Sequence, residues 1–356
     1  MPAAHAQSWG KLPDGRAVEL WKLQLPDGSF AHLTTYGARL VALGVPDRVG
    51  QITDVVTGYD SLEGYLKGAR FFGANAGPFA NRIGGARFTI DGMEYRFTPN
   101  RNGNLLHSGD RGLDGVLWKA EAVPSGVAFS YTSPDGEFGF PGPVDYRIAY
   151  TFDSAHTLRI EFTAKAAKAT HLNLAHHSYF NLAGHNAGSI ADHTIEINAN
   201  EFLETDAESI PTGNMLSVEG TPLDLRNPTR IGDRIDADFV PLRNCLGFDQ
   251  CFVIATAEHA PSDLHFCCRV FEAQSGRVME TYSSLPGMQF YTANYPTPDV
   301  AGKDGARYAP RTSFCLEPQF FPNSPNLPQF PTTLVRPDKK YHEIVEYRFS
   351  VRPSAL

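Results

Sequence analysis

The chain reads as all-β, a large twisted antiparallel β-sandwich, and three features of its 356 residues predict this. Apolar and polar residues alternate in segment after segment, helical periodicity is nearly absent, and 32 glycines and 26 prolines are spread along the chain. Alternation with a period of two puts one row of side chains into a core and the next toward solvent. Turn residues at short intervals then join many short strands.

In chain order, Pro13-Asp-Gly15, Pro26-Asp-Gly28 and Pro134-Asp-Gly136 read as tight turns, because proline presets φ and glycine accepts the left-handed backbone. One or two helical turns fit around Asp60 to Leu66. Arg87 to Phe97 alternates on both sides of Asp91-Gly92, which predicts a two-residue hairpin. Val144, Tyr146, Ile148, Tyr150 and Phe152 define a core strand, Leu158, Ile160 and Phe162 a second after a turn at Asp153-Ser154, and Val345, Tyr347, Phe349 and Val351 a third. The proline-rich stretch from Gln319 to Pro337 is excluded from a central strand and is expected to run extended across the surface. No composition break marks a boundary, so one domain over residues 1–356 is expected, with residues 1–8 a disordered N-terminal extension.

Composition narrows the function. Lys plus Arg total 31 against 39 Asp plus Glu, a net charge of −8, which argues against nucleic-acid and anionic-membrane partners. No apolar run reaches the roughly 18 residues of a membrane-spanning helix. The five cysteines, Cys245, Cys251, Cys267, Cys268 and Cys315, are odd in number and show no metal-ligand spacing. Reduced thiols, a cytoplasmic location and no metal centre are expected. Ala4-His5-Ala6 has the form of a signal-peptide cleavage remnant, which leaves the periplasm as the alternative.

Candidate chemistry centres on His171 to Asn181. On a strand, His176 shares a face with Leu172, Leu174 and Ser178, and His177 shares the other with Asn173 and Tyr179. Glu317 follows the apolar run Phe314-Cys-Leu316 and precedes Pro318. Such a setting desolvates a carboxyl and raises its pKa, one way to prepare a general base, although a buried ion pair would look the same. Taken singly, His107, Asn81, Arg82, Asp249 and Gln289 could each be ordinary turn or strand residues.

Together these residues lie in stretches that resemble the aldose 1-epimerase (galactose mutarotase) family: Gly77-Pro-Phe-Ala-Asn-Arg-Ile83, Asn104-Leu-Leu-His107, Asp135 to Gly142, Asn173 to Asn181, Gly220-Thr-Pro-Leu-Asp224, Gly247-Phe-Asp249, Ser275-Gly-Arg277, Pro286-Gly-Met-Gln-Phe-Tyr291 and Leu316-Glu-Pro-Gln319. The resemblance implies a supersandwich with a sugar on its concave face, no cofactor, and a monomer. It implies His177 as catalytic acid, in its imidazolium form, and Glu317 as catalytic base. Asn81, Arg82, His107, Tyr179, Asp249 and Gln289 would then hold the substrate, a free aldohexose such as galactose or glucose, whose α and β anomers interconvert by ring opening. Three positions depart from the common pattern: Pro78 for arginine, His176 for asparagine and Gln250 for histidine, all of which bear on sugar preference. The alternatives are an epimerase of a pentose or a hexose 6-phosphate, a non-catalytic sugar-binding protein, and a glycoside hydrolase or lyase. The last is disfavoured because one Glu here pairs with a His, where a hydrolase generally has two carboxylates.

Overall fold

The computed structural model describes residues 4–254 and 263–352. The alternating segments form the middle of a nine-stranded antiparallel sheet, in which Val144–Phe152 pairs with Thr157–Ala166 and that strand with Tyr341–Val351. In register, Ile148 faces Phe162 and Tyr150 faces Ile160. All four are fully buried, as are Val345 and Tyr347 on the next strand. Cross-strand apolar pairs of this kind fix register, because a one-residue slip would turn the whole set toward water.

Two five-stranded sheets share this core. One runs from Ala4–Lys11 to Ile52–Asp54 in sequence order; the other contains Glu201–Thr205, Pro211–Ser217, Asp249–Val253, Gly287–Tyr291 and Cys315–Gln319. A single buried cluster takes in Leu33, Leu40 and Leu43 of the first, Phe252, Phe290 and Leu316 of the second, and the inner face of the large sheet. This is the expected all-β sandwich. The Tyr347 hydroxyl donates to the Leu316 carbonyl at 2.9 Å and so ties the strand carrying Glu317 to the large sheet.

Local expectations are met at several points. Asp91 and Gly92 have φ of 49° and 80° and close the hairpin Arg87–Ile90 with Met93–Arg96, the backbone that a type I′ turn needs. The helical turn is Leu62–Lys67, with Ser61 as its N-cap. Three expectations need correction. Residues 4–8 are not a disordered extension: Ala4–Lys11 is an edge strand paired with Ala17–Gln24, held by backbone bonds although most of its side chains are exposed. A second short helix, Val240–Cys245, carries Pro241 in its first turn, where proline's fixed φ suits a helix start. The stretch Gln319 to Pro337 does not simply cross the surface, because Phe320, Phe321 and Phe330 are buried and Leu334–Val335 pairs with Thr170–His171. Apolar burial there outweighs the absence of proline N–H donors.

His176 belongs to the core. Asn75 Oδ1 can only accept, so Nδ1 of His176 donates to it at 3.1 Å, and Nε2 accepts from the Ser178 hydroxyl at 2.7 Å. Both ring nitrogens are satisfied in the neutral form, and burial pushes the pKa down to about 3. A depressed folded pKa contributes stability that is present above the unfolded value near 6.5 and lost as pH falls toward the folded one. His176 alone should therefore remove about 2 kcal/mol of unfolding free energy between pH 7.5 and pH 5. His176→Asn should lower stability at pH 7.5 but flatten this pH dependence, as denaturant melts of both proteins at the two pH values would show. An unchanged slope would contradict the assignment.

Candidate active site

Strand parity builds one wall of the site. Asp249–Val253, Gly287–Tyr291 and Cys315–Gln319 lie side by side, with Gln289 directly opposite both Cys251 and Glu317. One face carries Phe252, Met288, Phe290 and Leu316 into the core. The other presents Asp249, Gln289, Tyr291 and Glu317, all of which line a pocket. His177 comes from the short strand Ala175–His177, paired with Ala74–Ala76.

The opposite wall is made of two loops fastened together. The His107 backbone N–H donates to the Asn81 carbonyl at 3.0 Å, and the Asn81 N–H donates back to His107 Nδ1 at 3.1 Å. Asn81, His107 and Ser108 have φ of 63°, 47° and 63°, a backbone that costs non-glycine residues about 1 kcal/mol or more and gathers at functional sites. Because Nδ1 of His107 accepts, its hydrogen sits on Nε2; burial holds this ring neutral, its pKa well below the usual value.

All eight residues proposed from sequence meet in this pocket of about 260 Å³: Asn81, Arg82, His107, His177, Tyr179, Asp249, Gln289 and Glu317. That is just under the roughly 300–1,000 Å³ typical of drug-sized sites and suits one small polar ring. Sequence reasoning missed Phe71, Arg101, Leu106, Tyr291 and Tyr295 in the lining. Of these, Leu106 and Tyr291 lie inside family-like stretches, and Tyr291 also stands two residues after Gln289 on the same face. The His177 ring lies between Phe71 and Tyr179, with centroids 5.5 and 4.9 Å away and both nearly parallel to it.

At the base of the pocket, His177 Nε2 lies 3.5 Å from Glu317 Oε1, and both side chains are almost entirely buried. Burial is the main force on each. It drives the Glu317 pKa well above the ordinary carboxylate value, helped by the nearby negative charge of Asp249 and opposed by Arg82. It drives His177 down to about 4. The expected imidazolium is thus disfavoured in the pocket as it stands, and both groups are pushed toward their uncharged forms. Asp249 is held by Gln289 Nε2 at 2.7 Å and by Arg82 at 3.4 Å, while Arg82 also reaches Asn81 Oδ1 at 3.3 Å. Of the three departures from the family pattern, His176 is in the core as described, and Gln250 points away from the pocket, its amide donating to the Pro241 carbonyl at 3.1 Å. Pro78 is buried beside the loop that carries Asn81.

The profile of the aldose 1-epimerase family matches residues 19–348. A galactose mutarotase of Homo sapiens is 42% identical over 344 residues, covering 96% of this chain and 97% of that protein. An aldose 1-epimerase of Escherichia coli is 31% identical over 340 residues, covering 95% and 96%. Among solved structures, an aldose epimerase homologue from C. elegans superposes with a TM-score of 0.83 at 29% identity, covering 98% of this chain and 99% of that one. A likeness that runs nearly end to end in both sequence and fold leaves one conclusion: the chain belongs to the aldose 1-epimerase family.

Proposed function

We propose that Glu317 and His177 are the base and acid of this epimerase, and that its substrate is a free aldohexose such as galactose or glucose. The observation that carries the reading is the contact at 3.5 Å between His177 Nε2 and Glu317 Oε1 in the base of a pocket lined by polar side chains such as Arg82, His107, Asp249 and Gln289. The relatives named galactose mutarotase support the choice of sugar.

The pair needs one proton in total. Burial favours the arrangement of carboxylic acid beside neutral imidazole, and its tautomer, carboxylate beside imidazolium, is the reacting form. The proton passes between the two without leaving the site, and sugar hydroxyls entering the pocket favour the charged tautomer by solvating it. Glu317 then takes the proton of the C1 hydroxyl while His177 protonates the ring oxygen. The C1–O5 bond breaks, the aldehyde rotates about C1–C2, and the same two groups run in reverse to close the ring on its other face. His107 Nε2–H donates to one sugar hydroxyl, Arg82 and Gln289 donate to others, and Asp249 accepts. Two proton transfers complete the chemistry, so this reading calls for no cofactor. The protein is read as a cytoplasmic monomer, in keeping with five buried free cysteines.

Replacing either group should cost about 10²–10⁴-fold in kcat, the usual worth of a positioned proton donor or acceptor. Polarimetry of Glu317→Gln and His177→Asn on freshly dissolved α-galactose measures this, with circular dichroism confirming the fold; near-normal kcat in either variant would refute the assignment.

The pH profile follows from the same pair. Activity falls on the acid side when a second proton binds, near the depressed His177 value of about 4. On the alkaline side it falls when the pair loses its only proton, above the ordinary carboxylate range because Glu317 is raised. These limbs belong to the coupled pair. Asp249→Asn removes a charge that raises Glu317, so the alkaline limb of kcat/KM should move to lower pH; Arg82→Gln should move it to higher pH. Both variants also weaken sugar binding, which changes the height of the profile and leaves the direction of the shift as the readout. Shifts in the same direction would rule out this electrostatic account.

A further inference from the structure

Cys315 stands two residues before Glu317 on the strand Cys315–Gln319, so the two side chains leave on the same face. With His177 they form a group in which one donor atom from each residue lies within 4.8 Å of the others. All three residues are buried. His177 Nδ1 and Glu317 Oε2 have no hydrogen-bond partner, and unsatisfied buried polar atoms of this kind cost about 1–3 kcal/mol each.

We propose that His177, Cys315 and Glu317 form an inhibitory binding site for a borderline-soft divalent cation such as Zn²⁺, which competes with the sugar. The donor set of one nitrogen, one sulfur and one oxygen is of the kind zinc accepts in a tetrahedral site, leaving a fourth position for water. Mg²⁺ and Ca²⁺ ask instead for six or more oxygens and have no such set here. Donors around zinc stand about 3.4–3.8 Å apart for bonds of 2.0–2.3 Å, so side-chain adjustments of about an ångström bring the three onto one ion.

The charge balance is favourable. Before binding, the His177–Glu317 pair holds one proton and Cys315 is a neutral thiol, so the group is uncharged. On binding, the pair's proton and the thiol proton leave to solvent. The cation then faces a carboxylate, a thiolate and a neutral imidazole, which again sum to zero. A buried site penalises net charge, and neither state carries any. The metal would occupy both proton-transfer groups at once and block ring opening without altering the fold. His177 lies far in sequence from Cys315 and Glu317, which explains why no ligand spacing was visible there.

Mutarotation is measured with ZnCl₂ added at increasing galactose concentration. Inhibition should be competitive with the sugar and reversed by EDTA, while MgCl₂ at the same concentration has no effect. Cys315→Ala should retain activity within a few-fold and raise the inhibition constant for Zn²⁺ at least about tenfold, because the soft ligand is gone. Equal inhibition of the folded variant would overturn the proposal. Should the variant not fold, Co²⁺ added to the unaltered protein decides the matter. A thiolate-to-cobalt charge-transfer band that galactose displaces supports the site, and no band at inhibitory Co²⁺ overturns it. Competition with galactose rests on the acid–base reading above. A cobalt band that galactose leaves untouched would point to another of the five cysteines and would also count against the site.

Discussion

A carboxyl and an imidazole lie side by side beneath the surface, and the surrounding structure answers to that pair. Neither Glu317 nor His177 would keep its charge easily at such depth, and an isolated buried charge is costly enough that proteins pair or neutralise it. Here the two lie 3.5 Å apart, close enough to compensate one another. Around them, Asp249 and Arg82 exert opposite electrostatic pulls on Glu317. Burial keeps Glu317 raised, and losing either neighbouring charge would shift that balance.

Holding such a pair requires loops that do not move, and buried amides supply this. Asn173 shares the His177 face of its segment; its side chain donates to the Ala80 carbonyl at 3.2 Å and accepts from the Phe320 N–H at 2.8 Å. It thereby joins the loop bearing Asn81 and Arg82 to the end of the strand bearing Glu317. Asn323 then accepts from the Gly84 N–H at 2.9 Å through its side chain, while its own N–H donates to the Arg82 carbonyl at 2.7 Å. The left-handed backbone of Asn81 and His107 persists because these contacts over-determine it. Arg277, in another of the family-like stretches, is buried, is not among the residues lining the pocket, and donates to the Val45, Leu182 and Gln51 carbonyls. Its part is to fasten loops, and a shared motif need not mean a shared site.

What could be read in the sequence followed from how strongly each segment's side chains imposed their own periodicity. Val144 to Phe152 and Tyr341 to Val351 bury one row of large residues, so their alternation was visible. Ala4–Lys11 buries almost nothing and is a strand only because its neighbour offers backbone partners, a force that leaves no side-chain signature. In Gln319 to Pro337 the prolines announced irregular structure and hid the burial of Phe320, Phe321 and Phe330. The eight proposed site residues were found through motif order, whereas Phe71 and Tyr295 reach the pocket from loops with no pattern of their own. The charge state of His177 was also out of reach, because it depends on depth of burial, which only the folded chain defines.

The two adjacent histidines show how little chemistry resides in a residue type. Both are buried, and burial lowers the pKa of both, to about 3 for His176 and about 4 for His177. Desolvation therefore does not distinguish them. Hydrogen bonding does. His176 spends both nitrogens on Asn75 and Ser178, which fixes its tautomer and leaves no lone pair or N–H for a substrate. His177 leaves Nδ1 without a partner and aims Nε2 at a carboxyl, so a proton can arrive at or leave its ring without breaking the fold. A strand's period of two sends neighbouring side chains to opposite faces, and that alone converts one His-His pair into a core support and a candidate acid.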